Sequence, residues 1–172
     1  YNYWIKPLGL LHIASLLRAQ GFRVALIDCL DSFIKRKEYR DGKFYKTKVQ
    51  KPLPLQSIPR NYTRYGMPEE EFLEKLLSIG RPDVIGVTSG MTYWYPGLFK
   101  TIEIIRKVFE NVPIILGGIY ATLCYDHAVK YSGADIVFKG RDELRVLQVI
   151  SELSNFELRT PNCGLRTDEL PY

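Results

Sequence analysis

The sequence predicts a doubly wound α/β fold, in which helices cover both faces of a parallel β-sheet. Three observations predict it: several short segments are apolar at every position, amphipathic stretches of helical periodicity separate them, and the connections are short. The chain has 172 residues, of which 46% are hydrophobic, and this is enough for one domain with its own core. We therefore expect three layers in the order α/β/α.

The first part of the chain is predicted to be a helix followed by a strand. In residues 8–21, Leu10, Ala14 and Leu17 recur at helical spacing, and Gly21 suits the end of a helix. Residues 22–30, FRVALIDCL, are a short β-rich apolar segment. No strand precedes the helix to fill the central position of the sheet, so we expect the first strand to be cut off, disordered or replaced by a neighbour.

The net positive charge of the chain lies in residues 30–66. Ten Lys or Arg stand against three Asp or Glu there, within a chain whose net charge is +5. Three prolines and weak periodicity indicate an extended loop or a small subdomain, which we treat as a basic insertion.

Helices and strands alternate regularly after this insertion. Helices are predicted at 67–80, 97–110, 121–133 and 142–154, and strands at 82–89, 112–118 and 134–140. The helix at 67–80 has Pro68 and a run of acids near its start, which favours a helix N-terminus there.

Ligands of open α/β sheets bind outside the carboxyl ends of the strands. Gly117 and Gly118 end one predicted strand, which suggests that a ligand approaches the backbone closely and meets free amides of the next helix. A tight turn that packs the helix on the sheet is an equally open alternative.

The segment TSGMTYWYPG, residues 88–97, ends the preceding strand. It places the hydroxyls of Thr88, Ser89 and Thr92 around a glycine, followed by three consecutive aromatic residues that no helix or strand could bury on one face. Such a loop offers stacking area to a flat ligand or a partner surface, and the alternative is that it covers the end of the sheet.

Several kinds of site are not expected. The sequence has no P-loop, no G-x-G-x-x-G and no paired nucleophile and base, and His12 and His127 are interpreted as structural. Cys29, Cys124 and Cys163 have no spacing typical of a disulfide framework, a zinc site or an iron–sulfur cluster, so no metal ligands are predicted. No run approaches the about 18 apolar residues of a membrane span and no signal peptide is recognisable, so we expect a cytoplasmic protein without membrane contact.

Four stretches in order resemble the N-terminal cobalamin (vitamin B12)-binding domain of radical S-adenosylmethionine (SAM) enzymes: KPLGLLHIASLLRAQGFRVALIDCLD, IPRNYTRYG, PDVIGVTSGMTYWYPG and ILGGIYATLCYDHAVKYSGAD. The resemblance runs along essentially the whole chain and implies a Rossmann-like, flavodoxin-like sheet. It implies a cobalamin-binding domain at 1–155, with its basic insertion at about 30–66, and a linker at 156–172 toward an absent radical SAM domain.

The resemblance also implies which residues surround the cofactor. The nucleotide tail would need a narrow channel that side chains at 117 and 118 would close, and the hydroxyls of Ser89 and Thr92 would bond its base or ribose. The stretch GRDE replaces a Gly-Glu-Gly-Glu-like sequence of the family. The implied cofactor-binding residues are Ser89, Gly90, Met91, Thr92, Tyr93, Gly117, Gly118, Ile119, Tyr120, Gly140 and Glu143, with Leu8 and Gly9 near the lower face of the corrin.

Two departures from the family pattern limit what this chain can do. No Asp-x-His-x-x-Gly motif is present, so no histidine of this domain is expected to ligate cobalt. No Cys-x-x-x-Cys-x-x-Cys is present either, so the 4Fe–4S cluster and SAM would belong to the absent catalytic domain. The chain is therefore not expected to be catalytic alone.

The expected function is that of an accessory domain that positions a corrinoid for methyl transfer or radical chemistry performed elsewhere. Its expected partners are the corrinoid and a C-terminal radical SAM domain of the same polypeptide, with the basic insertion as a cap or interdomain contact. A solvated loop is the alternative for the insertion, and nucleic acid is not expected. The alternatives for the domain are a cofactor-free docking module and a flavodoxin-like binder of another nucleotide such as FMN.

Overall fold

The computed structural model describes residues 6–30 and 46–158. The helices are α1 (Leu8–Gln20), α2 (Glu69–Ser78), α3 (Tyr95–Val108), α4 (Ile119–Leu123), α5 (Tyr125–Tyr131) and α6 (Glu143–Ser154), with 3₁₀ turns at Leu53–Leu55 and Thr92–Trp94. The strands are β1 (Lys46–Lys48), β2 (Thr63–Tyr65), β3 (Ile85–Ser89), β4 (Ile114–Gly118) and β5 (Ile136–Val137).

Strands β3, β4 and β5 form a parallel sheet in that order. Ile85 lies opposite Ile114, and Ser89 lies opposite Gly118 at the carboxyl end. Helix α3 connects β3 to β4, and helices α4 and α5 connect β4 to β5, as neighbouring parallel strands require. The alternation of helices and strands predicted from residue 67 onward is therefore confirmed.

The sheet is covered on both faces. On one face, Ile114 and Leu116 are fully inaccessible to solvent, and they belong to a buried cluster with residues of α2 and α3. On the other face, Leu10 of α1 lies 3.9 Å from the position a Cβ atom would take at Gly86, and α1 contacts α6. The predicted α/β class, with its flavodoxin-like three-layer arrangement, is confirmed.

The strand predicted at 22–30 is wrong. Residues 22–28 lie in no strand, and Val24 and Leu26 are partly exposed. The end of this segment is nevertheless fixed: the Met67 amide donates to the Cys29 carbonyl at 2.7 Å, and Ile27 packs against the core. A strand needs a neighbour that forms hydrogen bonds along its edge. Within the described residues, the outer edge of β3 has no partner strand, so residues 22–28 do not extend the sheet there.

Two further predicted elements differ in detail. The single helix predicted at 121–133 is two helices, because Cys124 has φ −121° and ψ 45° and interrupts the helical backbone. In the basic insertion, β1 and β2 pair as an antiparallel ladder in which Lys46 lies opposite Tyr65, while residues 31–45 fall outside the described residues.

Helices α1 and α6 contact each other. Phe22, soon after the end of α1, packs on Phe156, soon after the end of α6, with ring centroids 4.1 Å apart. The ends of α1 and α6 therefore lie close together. Among the described residues, no helix is long and apolar enough to cross a membrane.

Candidate functional site

The carboxyl ends of β3, β4 and β5 meet at one edge of the sheet because the three strands are parallel. Helix α6 follows β5 and begins at this edge. The predicted site residues on the three strand-end loops are thus placed at one edge of the sheet, which is where ligands of such sheets bind. Leu8 and Gly9 begin α1, whose Leu10 lies beside Gly86, the second residue of β3.

The Ser89 side chain stabilises the loop after β3. It is buried, and its hydroxyl donates to the Met91 carbonyl at 2.8 Å. The loop then turns through Thr92–Trp94, where the Trp94 ring lies 3.4 Å from the position a Cβ would take at Gly90. Tyr93 projects outward, 68% exposed, edge-on to Trp94. The Ser89 hydroxyl is thus hydrogen-bonded within the loop, whereas the Tyr93 ring is accessible to solvent.

The two glycines after β4 differ in their surroundings. A Cβ atom on Gly117 would meet nothing within 4 Å, so this side of the backbone faces open space. Gly118 has φ 91°, and a Cβ there would collide with the Thr88 hydroxyl and lie 3.1 Å from the Ser89 carbonyl oxygen. The fold therefore explains Gly118 by close backbone packing, whereas the space beside Gly117 is available to a ligand.

Ile119 and Tyr120, the first two residues of α4, differ in exposure. Ile119 is 48% exposed, and Tyr120 is buried with its ring beside Tyr95. The Tyr120 hydroxyl lies 2.7 Å from Nδ1 of His127, and burial raises the pKa of the phenol above its ordinary value. The Tyr120 side chain is thus part of the core, and only its backbone borders the strand-end loops.

The loop after β5 carries Gly140, whose φ is 82° and whose Cβ position is open. Its N–H donates to the Thr122 hydroxyl at 3.1 Å, and that hydroxyl donates to the Gly118 carbonyl at 2.9 Å. Glu143 begins α6, which Asp142 caps by accepting from the Arg145 N–H at 3.0 Å.

Sequence reasoning missed Thr122 and Asp142. Asp142, an aspartate directly before a helix, carries the ordinary signal of an N-cap and could have been found. Thr122 carries no such signal, because its bond to Gly140 joins residues 18 positions apart.

Exposed apolar side chains occur on the segments that follow β3, β4 and β5 and at the start of α1. They come from the start of α1, the turn after β3, helix α4 and the start of α6, and they are between 48% and 71% exposed: Leu8, Tyr93, Ile119, Leu123 and Leu144. We call these five residues the apolar rim. Exposed apolar groups gathered in one region mark ligand or partner sites.

A family model described as B12 binding domain matches residues 60–150, which is more than half of the chain. The matched range includes all three strand-end loops and excludes Leu8 and Gly9. No curated protein and no solved structure gives a significant match to the chain.

Proposed function

The chain belongs to the B12-binding domain family, and from this premise we propose that it is the cobalamin-binding accessory domain of a radical SAM iron–sulfur enzyme. It would hold a corrinoid at the carboxyl edge of the sheet and position it for methyl transfer or radical chemistry carried out by another domain. The observation that supports this most directly is the open space beside Gly117 at the end of β4.

The residues at this edge fit a corrinoid with a long nucleotide tail. Gly9, Gly117 and Gly140 all have Cβ positions with no atom within 4 Å, so the backbone is accessible at three predicted site positions. A tail can approach closely at such points because no side chain intervenes. The rest of the predicted site comprises the loop from Ser89 to Tyr93, the residues Gly118, Ile119 and Tyr120 after Gly117, and the helix-start residues Leu8 and Glu143.

The apolar rim suits the body of a large ring. Leu8, Tyr93 and Ile119 can cover apolar edges of a corrin and exclude water from its lower face. A bound corrinoid supplies a transferable methyl group or a redox-active cobalt. This chain's part is to bind, orient and shield it, because the sequence lacks the motif that would provide a histidine ligand.

The binding proposal is tested by titrating the protein with hydroxocobalamin, removing free ligand by gel filtration and recording the visible spectrum. We expect about one corrinoid per chain in the wild type and loss of retention in Gly117→Leu. Lys130→Leu is the control, because it adds a leucine at an exposed position near the end of α5, away from the three strand-end loops. Equal retention by Gly117→Leu and the wild type would contradict the placement of the tail.

The radical SAM context is supported by the four resembling stretches and has its own test. We expect a Cys-x-x-x-Cys-x-x-Cys motif in the coding sequence downstream of residue 172, and an iron–sulfur absorption band in the anaerobically purified full polypeptide. A downstream sequence without that motif would remove this part of the proposal and leave corrinoid binding intact.

A cofactor-free docking module is the second candidate, because the exposed side chains of the apolar rim would also suit a protein surface. The titration separates the candidates: no retained corrinoid by the full polypeptide favours the docking module, and a yellow flavin in the purified protein favours a binder of another nucleotide.

A further inference from the structure

Thr122 connects two of the strand-end loops through one hydroxyl group. The hydroxyl donates to the Gly118 carbonyl at the end of β4 and accepts the Gly140 N–H from the loop after β5. The first bond is the common one between a helical threonine and the carbonyl four residues earlier. The second is a tertiary contact.

The loop after β5 has other attachments on either side of Gly140, and the Lys139 ammonium lies over the Tyr125 ring, 5.7 Å from its centroid. The Phe138 N–H donates to the Leu116 carbonyl at 2.8 Å, where the strand ends, and Asp142 caps α6. Gly140 itself has a positive φ, and no atom lies within 4 Å of its Cβ position. The bond from its N–H to Thr122 ties the backbone at the tip of this loop to the end of β4, because the same hydroxyl donates to the Gly118 carbonyl.

We propose that Thr122 is a positioning residue for the corrinoid site, setting the distance between the backbone at Gly117–Gly118 and the loop at Gly140. This inference rests on the proposed function, because both segments belong to the predicted cofactor site. A hydroxyl that donates to one loop and accepts from the other fixes both with a single side chain, so a bound ligand meets a preformed gap. Preformed sites bind more tightly because less ordering occurs on binding.

The test compares Thr122→Val, which keeps the branched shape and removes the hydroxyl, with Thr122→Ser, which keeps the hydroxyl. Thr101→Val is the control, because Thr101 makes the same bond to the carbonyl four residues earlier, Gly97, at 2.9 Å, and lies in α3. Each protein is examined by amide hydrogen exchange at Gly140, by thermal unfolding and by hydroxocobalamin titration.

We expect Thr122→Val to speed exchange of the Gly140 N–H about tenfold and to weaken corrinoid affinity about fivefold to tenfold, with a nearly unchanged melting temperature. Thr122→Ser should behave as the wild type in both measurements, and Thr101→Val should leave Gly140 exchange and corrinoid affinity unchanged.

Three outcomes would overturn the inference. Unchanged Gly140 exchange in Thr122→Val would show that the hydroxyl does not hold the loop. Faster exchange with wild-type affinity would show that the loop position does not matter for binding. Wild-type protein that retains no corrinoid would refute the proposed function and the positioning role with it, whereas the exchange measurement would still show whether Thr122 holds the loop.

Discussion

Gly118 lies so close to Thr88 that a Cβ atom at position 118 would overlap the Thr88 hydroxyl oxygen. Its φ of 91° and ψ of −167° belong to a region that essentially only glycine adopts. Gly117, one residue earlier, has neither constraint. A glycine pair that looks uniform in the sequence therefore has one member required by the fold and one that leaves space.

The two alanine variants should differ in stability. We expect Gly118→Ala to lower the free energy of unfolding by about 2 kcal/mol or more, from backbone strain and the displaced Ser89 carbonyl, and Gly117→Ala to change it by less than about 1 kcal/mol. Urea unfolding followed by circular dichroism measures both. Adding Thr88→Ala to Gly118→Ala should restore only part of the loss, and equal stabilities of the two alanine variants would refute this explanation.

Asp135 should make the free energy of unfolding depend on pH in the acidic range. Burial acts to raise the pKa of its carboxyl group, but hydrogen bonds from Arg106 at 2.6 Å and from the Ile114 N–H at 2.7 Å outweigh it, so the pKa lies below its ordinary value. A lowered folded-state pKa gives stability that is present above the unfolded value of about 4 and is lost as pH falls through the folded value.

The Asp135→Asn variant tests this contribution. Near neutral pH it should lose about 1 kcal/mol of unfolding free energy, because the charged bond to Arg106 is lost but was partly screened by water at a half-exposed carboxyl group. The difference from the wild type should shrink as pH falls below about 4. Asp126→Asn, on the exposed part of α5, is the control; a difference independent of pH would contradict the linkage.

Cys29 should be unreactive in the folded protein. Burial, followed by the nearby Asp28 carboxylate, raises the pKa of its thiol to about 11, and the thiolate is the reactive form. At pH 8.5 we expect iodoacetamide to alkylate Cys29 on the order of a hundredfold more slowly in the native state than in urea. Peptide mass spectrometry gives the rate, with Cys124 as an internal reference, and similar native and unfolded rates would refute the shift.

The hydroxyl of Tyr120 should contribute little to the free energy of unfolding, and its ring should contribute much more. Tyr120→Phe keeps the packing against Tyr95 and Phe99 but removes the bond to His127, so we expect a loss of about 1 kcal/mol. Tyr120→Ala should cost about 3 to 5 kcal/mol through the cavity it leaves. Chemical unfolding of both variants, together with a double-mutant cycle to His127→Phe, tests whether the hydroxyl acts through His127; a coupling energy of zero would show that it does not.

The alternation of apolar strands with amphipathic helices was enough to predict the architecture. Strands buried on both faces must be apolar throughout, and each helix that covers them must have one apolar side. Both patterns can be recognised in short stretches of the sequence. Ile114 and Leu116, fully buried at the centre of the sheet, come from such a run.

The segment at 22–30 shows where local pattern was insufficient. Its composition is that of a strand, but a strand exists only when another segment bonds along its edge, and this depends on parts of the chain far away. The sequence identified Tyr120 next to the glycines and could not tell that its side chain turns into the core, because the direction of a side chain depends on the packing around it.

The sequence by itself determined the class of the fold and the family to which the chain belongs, and it predicted a ligand site at the carboxyl ends of the strands. Only the tertiary structure decided that a side chain at position 118 would collide with its neighbours, whereas the Cβ position of Gly117 is open. It also decided that Thr122 links the end of β4 to the loop after β5 by hydrogen bonds. The physical reason is range: periodicity and turn residues act over a few positions, whereas close approach and tertiary hydrogen bonds join residues that only the folded chain brings together.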